Sequence, residues 1–188
     1  MKFREVENKY RADEIPREAF NALVESFNPI RSLTIPRDVS RDYYFTSGTK
    51  FMRFRYSEGE WELTTKVKTE DTNNRVRTEV NVRLGDDMTP EKAEAFARVF
   101  GLKHDFTVSK DVQIFYFKDV VLSHYTTYDG EKKLDCFLEI EANETCSWES
   151  EEQALQAITD WEKKLSTLGL SPYKRIKKSL FEFYTTSP

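Results

Sequence analysis

Cysteine is scarce in this chain: two residues, Cys136 and Cys146, in 188. No CxxC pair and no histidine-rich tract accompanies them. A disulfide framework and a structural zinc site are therefore set aside, and a reducing, cytoplasmic setting is the expectation. No stretch approaches the roughly 18 apolar residues that a membrane span needs, so no membrane partner is expected. The first ten residues, MKFREVENKY, contain no apolar leader core. There is no glycine-rich phosphate loop, and the serines and threonines form no nucleophile pattern. Strong positive charge is also missing: the formal net charge is −4 and the pI about 5.4, which argues against a nucleic-acid partner. No repeat or low-complexity tract divides the chain, and residues 1–188 read as a single domain.

What is present is charge in a particular order. Glu5, Glu7 and Lys9 occupy alternate positions, and in a β-strand alternate side chains share one face. The spacing recurs at Arg53 and Arg55, at Lys66 and Lys68, at Arg75, Arg77 and Glu79, and at Glu139 and Glu141. Residues between them are largely apolar, as with Val76, Val80 and Val82 or Leu138 and Ile140. Each of these segments therefore offers one charged face and one apolar face. Cations and carboxylates mixed on one face suit a polyanion bound through a divalent metal.

The remaining punctuation predicts an α+β protein. Strands are expected near 3–11, 42–46, 50–56, 60–69, 73–84, 106–117, 120–128 and 133–142, joined mostly by hairpin turns such as Ser47-Gly48 and Asp129-Gly130. Helices are expected from Pro16 with a stripe of Phe20, Leu23, Val24 and Phe27, from Thr89 to Phe100, and from Ser150 to Leu168. A short basic segment, Tyr173 to Phe181, is read as a terminal helix. Two arrangements satisfy the strand pattern. One is an open antiparallel sheet with a solvated charged face. The other is a closed sheet of about eight strands, its charged faces turned inward and its helices packed outside. Charges in such an interior must be paired or metal-bound, which implies a charged ligand.

The ordered set of residues resembles the CYTH domain proteins, or triphosphate tunnel metalloenzymes. Glu5, Glu7 and Lys9 match the ExExK signature of that superfamily. Asp42, Tyr44 and Phe45 match a D-x-Y-F segment, Arg53 and Arg55 an R-x-R strand, and Leu63, Thr64 and Lys66 an L-T-x-K strand. Arg77 and Glu79 match R-x-E, and Phe137, Glu139, Ile140 and Glu141 match F-x-E-I-E. The resemblance covers nearly the whole chain in the superfamily's order. It departs from it at Asn81, where many members carry a carboxylate, and at Val112, where a second cation often follows Lys110.

The resemblance implies an eight-stranded antiparallel tunnel with a charged interior. Mg²⁺ or Mn²⁺ is expected, with Glu5, Glu7, Glu79, Glu139 and Glu141 as candidate ligands, since hard divalent cations prefer oxygen. Lys9, Arg53, Arg55, Lys66, Lys68, Arg75, Arg77 and Lys110 are the candidates for clamping phosphate. Lys66 and Tyr44 are the candidates for assisting proton transfer. The implied activity is hydrolysis of a small-molecule triphosphate, inorganic or organic. The alternatives are a class IV-type cyclase making cyclic AMP and pyrophosphate from ATP, a non-catalytic nucleotide- or polyphosphate-binding module, and an RNA 5′-triphosphatase, which the acidic pI disfavours. A homodimer is expected by analogy with related enzymes.

Overall fold

The computed structural model describes residues 4–48, 50–67, 76–170 and 175–185, the side chains of Arg4, Lys66, Val67, Val76, Arg77 and Thr78 excepted. In chain order the elements are β1 (Arg4–Arg11), α1 (Arg17–Glu25), β2 (Arg31–Ile35), β3 (Ser40–Ser47), β4 (Lys50–Ser57), β5 (Glu60–Val67) and β6 (Val76–Leu84). There follow α2 (Pro90–Val99), β7 (Lys103–Tyr116), β8 (Val120–Asp129), β9 (Lys132–Ala142), α3 (Glu151–Lys164), β10 (Arg175–Ile176) and α4 (Leu180–Thr185). The protein is α+β, with a single, antiparallel sheet among the described residues.

Strands pair in the order β1-β6-β5-β4-β3-β7-β8-β9. β1 is shared: Arg4 to Val6 pair with β6, while Glu7 to Arg11 pair with β9. β7 is shared in the same way, its first half pairing with β3 and its second half with β2. The expectation of eight strands is corrected to ten among the described residues, the additions being β2 and β10. β2 is short and mostly solvent-facing, and lies between Pro29 and Pro36, so it carries little apolar alternation to announce it. The basic terminal segment is likewise corrected: it holds the two-residue β10, and the helix begins only at Leu180.

The helices form where their caps and stripes require. Thr89 accepts from the Lys92 amide at 3.3 Å, Pro90 occupies the first turn, and Gly101 at φ 72° leaves the helix. Ser150 caps α3 through the Gln153 amide at 3.4 Å, with Glu151 and Glu152 in the first turn and Lys163 and Lys164 in the last. α1 and α3 bury Phe20, Val24, Ala154, Ile158 and Trp161 against Tyr10, Phe115, Leu122, Leu138 and Ile140. α2 sets Ala93 and Ala97 on Phe45, Phe54 and Trp61. In β1, β4, β5 and β9 these core residues alternate with charged ones. Helix packing on one side thus aims the charged side chains to the other. No helix among the described residues is long and apolar enough to cross a membrane.

Candidate functional site

The charged faces meet in one cavity of about 470 Å³. β1 contributes Glu5, Glu7 and Lys9; β4 contributes Arg53 and Arg55; β5 contributes Glu62, and β6 contributes Glu79 and Asn81. Across from them stand Lys110 of β7, Tyr125 of β8, and Glu139 and Glu141 of β9, with Tyr44 of β3 alongside. Register explains the meeting. Glu7 lies opposite Glu141 and Lys9 opposite Glu139, while Asp42 lies opposite Arg55 and Tyr44 opposite Arg53.

The cations are held by specific oxygen atoms. Lys9 Nζ stands 2.9 Å from Glu139 Oε1 and 3.8 Å from Glu7 Oε1. The buried Tyr125 hydroxyl donates to that same Glu139 Oε1 at 2.8 Å. Burial raises the Tyr125 phenol well above its ordinary value, with Glu139 adding to the shift, so it stays a donor. Arg53 Nη2 donates to Thr64 Oγ1 at 2.8 Å and stands 3.8 and 3.9 Å from Glu62 and Glu79. Thr64 in turn donates to Asn81 Oδ1 at 2.7 Å.

Asp42, fully buried, organises the other half of the cation set. Arg55 grips it with two bonds, Nε at 2.7 Å and Nη2 at 3.1 Å, and Lys110 Nζ approaches it at 2.6 Å. Burial alone would raise the Asp42 carboxyl, but Arg55, Lys110 and Arg53 hold it well below the usual carboxylate range. For Lys110, burial pulls the ammonium down to about 8, Arg55 and Arg53 add to the fall, and Asp42 opposes it. The Lys110 ammonium also lies 5.1 Å from the centre of the Tyr125 ring.

All five candidate metal ligands, Glu5, Glu7, Glu79, Glu139 and Glu141, line the cavity. Among the described residues no three carboxylate, histidine or cysteine side chains stand together as a ready-made cage. The donor set nevertheless fits Mg²⁺ or Mn²⁺. Mg²⁺ is usually held by one or two carboxylates and completed by waters and substrate phosphates. Glu7 and Glu141 stand directly opposite across the β1–β9 pair, so one cation between them could take an oxygen from each strand.

Of the candidate phosphate clamps, Lys9, Arg53, Arg55 and Lys110 line the cavity. Lys68 and Arg75 lie outside the described residues, as do the side chains of Lys66 and Arg77. The backbone places Lys66 opposite Glu79 and Arg77 opposite Glu5. Tyr44 stacks on Phe106 at 4.5 Å and faces Phe181 at 6.4 Å. Sequence reasoning missed Asp42, Glu62 and Tyr125 as site residues. Strand parity could have found the first two, since Asp42 is two residues from Tyr44 and Glu62 two from Thr64. His124, by contrast, packs on Phe20 at 5.1 Å with Nε2 near the Ile15 carbonyl, away from the cavity.

No family model matches the sequence, and no curated protein does either. Among solved structures, a conserved hypothetical protein from Pyrococcus furiosus is 26% identical, with a TM-score of 0.72 over 95% of this chain and 98% of that one. A candidate adenylate cyclase from Vibrio parahaemolyticus is 16% identical, with a TM-score of 0.68 over 99% and 100% of the two chains. An adenylyl cyclase candidate from Hippeastrum, described by its dominant triphosphatase activity, is 12% identical, with a TM-score of 0.57 over 98% and 97%. The chain therefore shares its fold with these proteins, and the expectation of an antiparallel α+β architecture holds.

Proposed function

We propose that the protein is a divalent-metal-dependent triphosphatase, its sheet rolled into an eight-stranded tunnel around the cavity. The pairing of β1 with both β6 and β9 supports the rolled arrangement. The observation that carries the function is the interleaving of acids and bases in one cavity. Among the described lining residues, Lys9, Arg53, Arg55 and Lys110 stand among Glu5, Glu7, Glu62, Glu79, Glu139 and Glu141. Binding a polyanion calls for the cations; the carboxylates make sense when metal accompanies it.

Lys9, Arg53, Arg55 and Lys110 clamp phosphate oxygens, the arginines with paired donors. Asp42 holds Arg55 and Lys110 in place before substrate arrives. Glu5, Glu7, Glu79, Glu139 and Glu141 would hold Mg²⁺ or Mn²⁺. Bound there, the metal would neutralise charge on the phosphates and lower the pKa of a coordinated water. Fixed cations around the transferring phosphoryl group supply most of the remaining catalysis, because the site needs no reorganisation as charge moves. Tyr125 keeps Glu139 oriented, and Tyr44 and Lys66 remain the candidates for proton transfer.

A class IV-type cyclase is the second reading, favoured by the cyclase descriptions of the Vibrio and Hippeastrum structures. Product analysis separates the two. The pure protein is incubated with tripolyphosphate, ATP and thiamine triphosphate, with Mg²⁺ or Mn²⁺. Released orthophosphate is the expected result. Cyclic AMP with pyrophosphate would replace the triphosphatase reading by the cyclase. Triphosphate binding without turnover under any metal would reduce the protein to a binding module.

A further inference from the structure

The cavity-facing side chains change character along β7. Lys110 belongs to the charged layer, whereas Ile114 and Tyr116, further along the strand, are apolar and still line the cavity. At ~3.3 Å per residue they lie about 13 and 20 Å beyond Lys110. Register sets Val121 of β8 opposite Tyr116, and Val121 is also opposite Glu141 of β9. Ile35, at the end of β2, adds to the same wall. The apolar wall thus begins where the candidate metal ligand Glu141 ends.

This wall lies outside the packed hydrophobic clusters, although Ile35 itself is buried. Ile35, Ile114, Tyr116 and Val121 belong to none of the hydrophobic clusters among the described residues. Ile114, Tyr116 and Val121 are half-buried and face the cavity. The Tyr44 and Phe181 side of the cavity contrasts with it. There Tyr44, Phe51 and Phe181 also line the cavity but stack on neighbours, Phe51 to Phe181 at 5.1 Å, and join a core cluster with Leu180 and Phe137. Apolar surface left facing water costs free energy in proportion to its area. Serine fills comparable positions in the same cavity at Ser40, Ser57 and Ser123, so the strands did not require apolar residues here.

A polar rim stands beside the apolar wall. Asn143 and Thr145, in the loop after β9, line the cavity, and the loop is pinned by Asn143 Nδ2 donating to the Phe117 carbonyl at 2.7 Å. The Arg31 guanidinium, 5.4 Å from the centre of the Tyr116 ring, orients that ring from the neighbouring strand. Apolar walls with a few fixed polar groups are the usual composition of a site for a small organic molecule.

We infer that the wall of Ile35, Ile114, Tyr116 and Val121 seats an organic group carried by the triphosphate, so that the substrate is an organic triphosphate rather than inorganic tripolyphosphate. The inference rests on the triphosphate reading above. It is tested by calorimetric titration of the full chain with tripolyphosphate, ATP and thiamine triphosphate, in EDTA so that no turnover intervenes. At least one of the two organic triphosphates is expected to bind roughly tenfold tighter than tripolyphosphate. Ile114→Ser and Val121→Ser, each checked for a native circular dichroism spectrum, are expected to reduce that ratio roughly tenfold, the scale of a lost apolar contact. Tripolyphosphate binding as tightly as both organic ligands, or a ratio unmoved in folded variants, overturns the inference and leaves the triphosphatase reading standing. Should both variants misfold, the order of affinities in the unaltered protein decides alone. Binding of none of the three in EDTA, with no turnover of any of them in Mg²⁺ or Mn²⁺, would overturn the triphosphate reading itself, and this inference with it.

Discussion

Asp42 is the residue on which the cation half of the site turns. It is fully buried and is shared by Arg55 and Lys110. Replacing one partner of a buried charge network leaves the others uncompensated, so Asp42→Asn is expected to destabilise the free protein by about 3–5 kcal/mol. A bound triphosphate supplies the missing negative charge. Thermal melts of the variant should therefore show a larger upward shift with tripolyphosphate than those of the unaltered protein; an equal shift would separate Asp42 from the phosphate site. Lys110 gives a second prediction. Its folded value of about 8 lies below the ordinary 10.5, so the burial penalty on its charge is fully present below pH 8 and relieved as pH rises towards 10.5. Stability should then rise over that window while triphosphate affinity, which needs the charged ammonium, falls as pH passes about 8. Affinity titrations from pH 6 to 10 on the unaltered protein and on Lys110→Met check this: the fall should be absent from the variant.

At the scale of elements, the sequence was most legible where a strand carried charge on one face and apolar residues on the other. β1, β4, β6 and β9 announced both their existence and their cavity-facing side chains through period two alone. β2 did not, because an exposed five-residue strand needs no apolar face, and its pairing with β7 is set by long-range register. Asp42 was visible as part of a motif but not as the partner of Lys110, since that contact joins β3 to β7. The attachment of α3 to β1 was equally hidden. Glu162 accepts from Asn8 Nδ2 at 2.5 Å and from the Tyr10 hydroxyl, and both donors alternate with Glu7 and Lys9 on the opposite face of the strand. Glu162 thus fixes the orientation of the strand that carries two candidate metal ligands. Glu162→Ala leaves buried donors behind and should cost about 1–3 kcal/mol. If orientation is its role, Glu162→Gln should restore the melting temperature and the Mg²⁺ dependence of turnover together; recovery of stability alone would limit it to packing.

At the scale of the whole molecule, carboxylates from β1, β5, β6 and β9 and from the loop after β9 converge on one cavity. Among the described residues Glu5, Glu7, Glu62, Glu79, Glu139, Glu141 and Glu144 line it, interleaved with Lys9, Arg53, Arg55 and Lys110. Such a gathering of carboxylates among cations favours a metal ion together with its phosphate partner. Glu141→Gln should abolish most of the gain from Mg²⁺ with triphosphate, which at a hundredfold excess over Kd amounts to about 2.7 kcal/mol in the unaltered protein. Melts of both proteins in EDTA, in Mg²⁺, and in Mg²⁺ with triphosphate contain the whole comparison. A variant that keeps the full gain with metal would place the cation elsewhere than between β1 and β9.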